Sequence, residues 1–272
     1  MTYPPIKPRP KRIIAVPSTL FAGEPLKLKT IKVGFLARAL AIFRVEEVII
    51  YVDKGERANA ELVADILRYV ETPQYLRKVL IPLKPNLKYV GLIPPLRTPH
   101  HPARDEKIEF REGVVVFSSR GRVKVDVGLR EPVTVRGYEH MGKRVTVKLK
   151  PSPAIVPKSV VPYYWGYSVK IENSLSSLLK GISADLRIAT SRYGDNVAKV
   201  WNRLKDELKR ANRVLVVFGA PDRGLFEMCE EEGLDIHEFF NYILNFIPNQ
   251  GTRTVRTEEA LYATLAILNI LA

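Results

Sequence analysis

Apolar runs and helical patterns alternate at the two ends of the chain. Short runs rich in β-branched residues are typical of strands buried on both faces, and they lie at 13–16, 48–52, 167–171, 186–189 and 214–218. Amphipathic or apolar patterns with helical spacing lie between them, at 31–43, 60–70 and 197–209. This order predicts an α/β fold built from parallel βαβ units.

The two chain ends differ in character. Residues 1–12 form a proline-rich basic leader, which we expect to be poorly ordered because chain ends usually lack packing partners. The last segment, from Glu258 to Ala272, predicts a helix that is apolar nearly all round and therefore buried. Thr257 stands in front of two glutamates and is the expected cap of this helix.

The sequence pattern changes near Tyr89, where a proline-rich stretch follows the helical patterns. Short alternating runs separated by glycines then follow, at 114–117, 123–127, 133–135 and 145–149. Such a series predicts a small β-barrel of the OB-like kind. From Arg104 to Lys158 this segment carries 13 Lys/Arg and 7 Asp/Glu, which suits an RNA grip or, alternatively, a structural insertion without a ligand. We expect a discontinuous α/β domain at 1–90 and 165–272, with an inserted barrel domain at 91–164.

Two loops near the carboxyl end carry the main functional signal. The strand at 214–218 leads directly into Gly219 and Gly224, but the chain contains neither a G-x-G-x-x-G nor a phosphate-binding G-K-[ST] pattern. The second loop contains Pro248, Gly251 and several threonines before the last helix. Adjacent loops at the carboxyl ends of strands are where α/β proteins bind nucleoside-type cofactors.

Three motifs in chain order resemble those of SPOUT-superfamily methyltransferases. They are VGFLARA at 33–39, FGAPDRGL at 218–225 and IPNQGTRTVRTEEA at 247–260. Further segments resemble the archaeal and eukaryotic RNA methyltransferases of this superfamily that carry a β-rich insertion, namely PQYLRK at 73–78, PHH at 99–101, FREG at 110–113, YWGY at 164–167 and TS at 190–191. The resemblance therefore covers most of the chain.

The resemblance implies a SPOUT-type α/β fold with a C-terminal trefoil knot, S-adenosylmethionine as cofactor and a homodimer. It implies an S-adenosylmethionine-dependent methyltransferase that modifies a structured RNA, with ribosomal and transfer RNA as the candidates. Arg38 is the expected catalytic residue, positioning a phosphate or stabilising charge on the target base. The expected cofactor contacts are Thr190, Ser191, Phe218, Gly219, Gly224, Asn245, Ile247, Pro248, Gly251, Thr252 and Thr254.

The chain departs from the superfamily pattern at two places. Pro221 stands where many relatives carry Glu, and the third motif lacks an Asn and a Ser that a related branch carries. Two alternatives therefore remain open: a non-catalytic RNA-binding protein that retains the knot, and a protein methyltransferase.

Composition and charge limit the kinds of partner and binding site that we expect for this chain. The 272 residues carry a formal net charge of +14, which favours a polyanionic partner such as nucleic acid. Cys229 is the single cysteine, so neither an internal disulfide nor a cysteine-based metal site is expected. The start of the chain lacks an apolar signal core and no run reaches membrane-spanning length, so we expect a cytoplasmic or nuclear protein without a membrane or metal partner.

A pair of histidines and a cluster of aromatic residues each allow more than one role. His100 and His101 are adjacent and lack a set of acidic or cysteine ligands at suitable spacing, which favours a structural or RNA-contacting role over metal binding. Tyr163, Tyr164, Trp165 and Tyr167 lie where the two domains should meet. Packing is the favoured role for them, with stacking on RNA bases as the alternative.

Overall fold

The computed structural model describes residues 3–104 and 106–272. Within this part of the chain the strands are β1 (Lys11–Pro17), β2 (Glu47–Tyr51), β3 (Phe110–Ser119), β4 (Arg122–Asp126), β5 (Val133–Arg136), β6 (Arg144–Lys148), β7 (Ala154–Val156), β8 (Ser168–Glu172), β9 (Leu186–Asn196), β10 (Arg213–Val217) and β11 (Tyr242–Asn245). The α-helices are α1 (Leu26–Ile42), α2 (Arg57–Glu71), α3 (Gln74–Leu80), α4 (Leu175–Gly181), α5 (Trp201–Arg210), α6 (Leu225–Glu231), α7 (Ile236–Phe239) and α8 (Thr257–Leu271).

A six-stranded parallel sheet has the order β11-β9-β10-β1-β2-β8. Its central strands are buried on both faces: Ile14 and Val16 of β1 join one apolar core, while Ile13 and Ala15 join the other. Helices α1, α2, α5 and α8 cover the first face, and α4, α6 and α7 cover the second. The predicted α/β class and its parallel sheet are confirmed.

The middle of the chain forms a separate antiparallel sheet with the order β5-β4-β3-β6-β7. A register shift between Val115 and Phe117 bends the long strand β3, and the sheet curls around its own core of valines. The four predicted strands are confirmed. The fifth, β7, was missed because it is three residues long and lies between prolines.

Buried aromatic residues fill the seam between the two sheets. Tyr164, Trp165 and Tyr167 are each no more than 2% exposed, so the favoured prediction of packing is confirmed for them. His100 is fully buried, and its Nε2 lies 2.9 Å from the carbonyl oxygen of Glu71. This histidine is therefore structural, and the described residues contain no cluster of three His, Cys, Asp or Glu side chains suited to a metal.

Two expectations about the chain ends are wrong in detail. The leader is packed against the fold at Pro5 and Pro8, because the carbonyl of Pro5 accepts the N–H of Tyr164 at 2.9 Å and Pro8 is buried. Met1 and Thr2 lie outside the described residues. Arg256, not Thr257, is the N-cap residue of α8, and its N–H donates to the Glu259 carboxylate at 2.9 Å.

Helix α8 is buried on one face only. Leu261, Leu265 and Leu268 enter the core, whereas Ile270 is 70% exposed. The expectation of burial all round is therefore wrong, because α1 and α5 cover only part of the helix. Among the helices of the described residues, none combines the length and the apolar character needed to cross a membrane.

Candidate active site

A cavity of about 210 Å³ lies at the carboxyl ends of β9, β10 and β11. Four stretches of chain form its walls: 190–193, 218–224, 244–247, and the residues just before α8 together with the first two turns of that helix. The carboxyl ends of neighbouring parallel strands meet at one edge of a sheet, which is the usual location of ligand sites in α/β folds.

The loop after β10 turns back sharply on itself. The N–H of Phe218 still donates to the carbonyl of Ala15 at 2.9 Å, so the sheet extends one residue beyond the strand. A Cβ on Gly219 would lie 3.1 Å from the carbonyl oxygen of Arg223 and 3.2 Å from the nitrogen of Leu225. The tight return of this backbone explains why glycine occupies position 219.

A buried ion pair anchors the far end of the same loop. Nη2 of Arg223 donates to both carboxylate oxygens of Asp53, at 2.6 and 2.7 Å, and Thr19 Oγ1 donates to the same carboxylate at 2.7 Å. Burial opposes the charged guanidinium, but the hydrogen bond and charge of Asp53 raise the pKa of Arg223 above its ordinary value. The loop between β10 and α6 is therefore fixed to the end of β2.

Asn245 holds two other cavity walls together. Its Oδ1 accepts the N–H of Ile247 at 2.9 Å, and its Nδ2 donates to the carbonyl of Arg192 at 3.0 Å. Thr190 Oγ1 donates to the carbonyl of Val217 at 3.1 Å, which ties β9 to β10 at the cavity floor. These bonds position the loops before any ligand is bound.

The cavity combines apolar walls with a few polar groups. Phe218, Leu244 and Phe246 are almost completely buried and provide flat apolar surface. The polar residues Glu227 and Thr264 also line this space, together with the two loops. Such a lining can bind a nucleoside, since its base needs apolar contact and its ribose needs hydrogen-bond partners.

Most of the cofactor contacts that the motifs predict meet at this cavity. Eight of them line it: Thr190, Ser191, Phe218, Gly219, Gly224, Asn245, Ile247 and Thr254. Three do not, and lie elsewhere in the loop between β11 and α8: Pro248, Gly251 and Thr252. The contact of any of these residues with a cofactor stays a prediction.

Sequence reasoning missed several walls. Leu244 lies in β11 and Phe246 directly follows that strand, and neither was among the predicted contacts. Arg223 lies within the second motif, where only Phe218, Gly219 and Gly224 are predicted as contacts. Thr264 is a polar residue on the buried face of an apolar helix, and that mismatch is a signal that could have identified it.

Arg38 lies outside this cavity. It is half-buried on α1, and its Nη1 donates to the carbonyl of Leu96 at 2.9 Å. The neighbouring Gly34 allows close packing, since a Cβ there would lie 3.0 Å from the side chain of Ile93. Among the described residues of a single chain, Arg38 therefore does not line the cavity of that chain.

The antiparallel sheet exposes aromatic and basic groups together. Phe117 is 46% and Tyr138 81% exposed, and Lys124 Nζ lies 6.0 Å from the ring centre of Phe117. Arg122 on β4 and Arg136 on the neighbouring β5 are also exposed and lie opposite each other in the register. Flat rings beside positive charges are the groups that contact single-stranded nucleic acid.

Comparison with known proteins supports the motif-based prediction. Residues 11–268 match the sequence model of a family described as "Putative RNA methyltransferase". A 28S rRNA (uridine-N(3))-methyltransferase of Drosophila melanogaster is 34% identical over 96% of this chain, which spans 62% of that relative's length. The human protein of the same name is 33% identical over 94% of this chain and 77% of its own length.

An archaeal relative matches over nearly its full length. This uncharacterized protein of Halobacterium salinarum is 35% identical over 95% of the chain and 99% of its own length. The motifs, the cavity and the family match cover the same part of the sequence. The chain belongs to this RNA methyltransferase family, which confirms the class of function that its motifs predict.

Proposed function

We propose that this protein methylates a uridine of ribosomal RNA at ring nitrogen N3, using S-adenosylmethionine. The observation that carries the proposal is the cavity at the ends of β9, β10 and β11, which brings together eight of the predicted cofactor contacts in a chain of the RNA methyltransferase family. The base and atom follow the printed names of the fly and human relatives.

The residues at the cavity fit S-adenosylmethionine. Phe218, Leu244 and Ile247 offer apolar surface for an adenine ring, while Glu227 and the hydroxyl of Thr264 offer partners for ribose hydroxyls. When bound, the cofactor supplies an electrophilic methyl group on a sulfonium. The chain's own contribution is to orient the reactants and exclude water, because methyl transfer depends mainly on alignment.

We extend the proposal to the SPOUT superfamily and its C-terminal trefoil knot. Support comes from the chain order of the three motifs and from α8, whose residues Thr257, Ala260 and Thr264 form part of the cavity. A terminal helix that completes a cofactor site must be held in place, and a threaded chain end would do so. The α/β domain then comprises 1–90 and 165–272.

The inserted domain at 91–164 is the proposed RNA grip. In its curled sheet β3 pairs with β4 and β6, while the outer strands β5 and β7 approach each other, an arrangement that supports an OB-like barrel. The exposed rings of Phe117 and Tyr138 beside basic side chains favour RNA as the partner. The net charge of +14 adds non-specific attraction to phosphates.

A homodimer would bring Arg38 to a cofactor cavity. Leu28, Phe35 and Ile42 are 44%, 54% and 49% exposed, and their spacing of seven places them on one stripe of α1. Arg38 belongs to the same stripe. A second copy covering this stripe would bury apolar surface and place Arg38 beside its neighbour's cavity, where it could stabilise charge on the target base.

Transfer of label from tritiated S-adenosylmethionine to total RNA of cells lacking the protein tests the proposal. We expect binding of the cofactor by calorimetry, label in ribosomal RNA, and 3-methyluridine by nucleoside mass spectrometry. Cofactor-independent RNA binding without transfer would favour a non-catalytic protein. Label that appears in protein and not in RNA would favour a protein methyltransferase.

A further inference from the structure

A second cavity, of about 510 Å³, adjoins the first. The segment 19–24 that follows β1 forms one side, and Lys32 of α1 and the start of α8 form the others. The two cavities share five wall residues: Pro221, Asp222, Thr254, Val255 and Thr257. A ligand in the second cavity would therefore lie beside a cofactor in the first.

One carboxylate beside the second cavity keeps an oxygen without a hydrogen-bond partner among the described residues. Glu24 pairs with Lys32 through Oε1, whereas Oε2 is buried and has no hydrogen-bond partner among residues 3–104 and 106–272. Lys32 Nζ lies 5.3 Å from the ring centre of Phe21 and 3.9 Å from the carboxylate of Glu258. A buried oxygen without a partner is costly unless a ligand supplies one.

The segment that carries Glu24 is held rigidly. Asn59 Nδ2 donates to the carbonyl of Leu20 at 3.0 Å, and Lys29 Nζ donates to the carbonyl of Ala22 at 3.2 Å and to Asn59 Oδ1 at 2.6 Å. Phe21 adopts a φ of 60°, in the left-handed region that bulky residues rarely occupy. Such an enforced conformation is typical of functional segments and keeps Glu24 in place.

The Glu24–Lys32 pair complements one edge of a uracil base. That edge carries a ring N–H flanked by carbonyl oxygens, so it donates one hydrogen bond and accepts others. Glu24 Oε2 matches the N–H, the ammonium group of Lys32 matches the adjoining carbonyl, and the ring of Phe21 supplies an apolar wall. Cytosine offers an unprotonated nitrogen at the same position and would face the carboxylate without a donor.

We propose that the second cavity holds the target uracil, with Glu24 as the base that removes the N3 proton and Lys32 as the group that stabilises the carbonyl oxygen. This inference rests on the proposed function. The N3 proton passes to Oε2 of Glu24, and the N3 lone pair forms the new N–CH₃ bond. The electrons of the broken C–S bond go to sulfur, and Glu24 later releases its proton to water.

The test measures single-turnover methyl transfer to total RNA from cells lacking the protein. It compares the full chain with Glu24→Gln, Lys32→Met, Glu258→Gln and Glu61→Gln. Glu61 is a surface carboxylate paired with Arg57 and serves as the matched control. We expect the Glu24→Gln rate to fall by roughly 10²-fold or more, and Lys32→Met by at least about 10-fold, as for lost proton transfer and charge stabilisation. The control should stay within about two-fold of the wild type, as expected for an exposed ion pair.

A pH profile separates a proton acceptor from a purely structural group. The Glu24→Gln rate should rise with pH more steeply than the wild-type rate, because solvent hydroxide must then take the proton. Calorimetric affinity for S-adenosylmethionine should stay unchanged in each variant, which also verifies folding. Unchanged rates for Glu24→Gln, a loss in Glu258→Gln alone, or a methylated base other than uracil would overturn the inference.

The outcomes keep the two proposals apart. If the wild-type protein labels uridine in RNA while Glu24→Gln labels it equally well at every pH, the proposed function stands and the assignment of Glu24 is wrong. If the wild-type protein binds no cofactor or labels no RNA, the proposed function fails, and the inference fails with it.

Discussion

Arg144 of the antiparallel sheet binds the carboxylate of Glu71, at the end of α2, through both terminal nitrogens of its guanidinium. Nη1 and Nη2 of Arg144 lie 2.7 and 3.2 Å from the two carboxylate oxygens of Glu71, and Nε donates to Glu112 at 2.7 Å. Burial alone would raise the pKa of Glu71, but the charge of Arg144 and a hydrogen bond from His100 hold it well below its ordinary value. One arginine therefore joins the antiparallel sheet to helix α2.

Arg144→Met should destabilise the protein by about 3–5 kcal/mol, because two buried carboxylates lose their cation while they remain shielded from water. Urea denaturation measured by circular dichroism gives the free energy of unfolding. Lys143→Met is the matched control, since Lys143 pairs with Glu139 while half-exposed, and it should cost less than about 1 kcal/mol. Equal losses in the two variants would contradict a joining role for Arg144.

His101 should make stability depend on pH in mildly acidic solution. Burial, reinforced by the charge of His100, lowers the pKa of His101 to about 3, and its Nε2 lies 2.6 Å from the carbonyl oxygen of Glu71. The unfolded chain titrates near pH 6.5 and binds the proton first, so stability falls as the pH drops from about 6.5 to about 3. At pH 5 the expected loss from this residue is about 2 kcal/mol relative to pH 7.5.

The comparison of wild type with His101→Gln isolates this contribution. The glutamine amide can still donate to the Glu71 carbonyl but does not titrate, so the variant should lose about 2 kcal/mol less between pH 7.5 and pH 5. Parallel curves for His101→Gln and the wild type would show that His101 is protonated in the folded protein.

The sequence alone predicted those parts of the fold that depend on local patterns of apolar residues. The runs around Ile14, Val48 and Val216 alternate between two apolar cores, and a parallel sheet buried on both faces requires β-branched runs of this kind. Helix α1 begins at Leu26, five residues before its predicted start, because Leu26, Lys27 and Leu28 lack the strict apolar period that marks its later turns. The cap of α8 was misplaced by one residue for a related reason, since several polar residues precede it.

From the sequence, only those parts of the site that lie in or beside recognisable motifs could be predicted. Gly219 and Asn245 lie in recognisable loops, and both line the first cavity. The pairs Arg223 with Asp53 and Arg144 with Glu71 join residues 170 and 73 positions apart, and no local pattern marks such partners. The segment around Glu24 carries no motif either, so the second cavity became visible only when folding brought α1 and α8 beside it.

Gly219→Ala should weaken cofactor binding without unfolding the protein. The new methyl group would lie 3.1 to 3.2 Å from backbone atoms of residues 223–225, so the loop must open by a few tenths of an ångström. We expect roughly 10-fold weaker calorimetric affinity for S-adenosylmethionine and a stability change near 1 kcal/mol. Gly181→Ala, whose Cβ meets no described atom within 4 Å, is the control and should leave the affinity unchanged.

Phe35→Glu should convert the proposed homodimer to monomers. The side chain is 54% exposed in the centre of the apolar stripe on α1, and a charge there would be desolvated in a symmetric interface against its own copy. Sedimentation velocity measures the oligomeric state. Val79→Glu on α3 replaces an equally exposed apolar residue, 58% exposed, and should remain dimeric. A wild-type protein that sediments as a monomer would remove the basis of this prediction.

Mixing two inactive variants tests whether Arg38 acts on the neighbouring chain's cavity. Arg38→Ala keeps its cofactor cavity intact, because Arg38 is not among the cavity walls, while Gly219→Leu blocks the cavity and keeps Arg38. In a mixed dimer, the intact cavity of the first chain meets the intact arginine of the second, so one of two sites is complete. An equal mixture that exchanges freely should recover about a quarter of wild-type methyl transfer, since about half of the dimers are mixed. If Arg38 instead serves the cavity of its own chain, every site carries at least one lesion, and mixing will restore no activity.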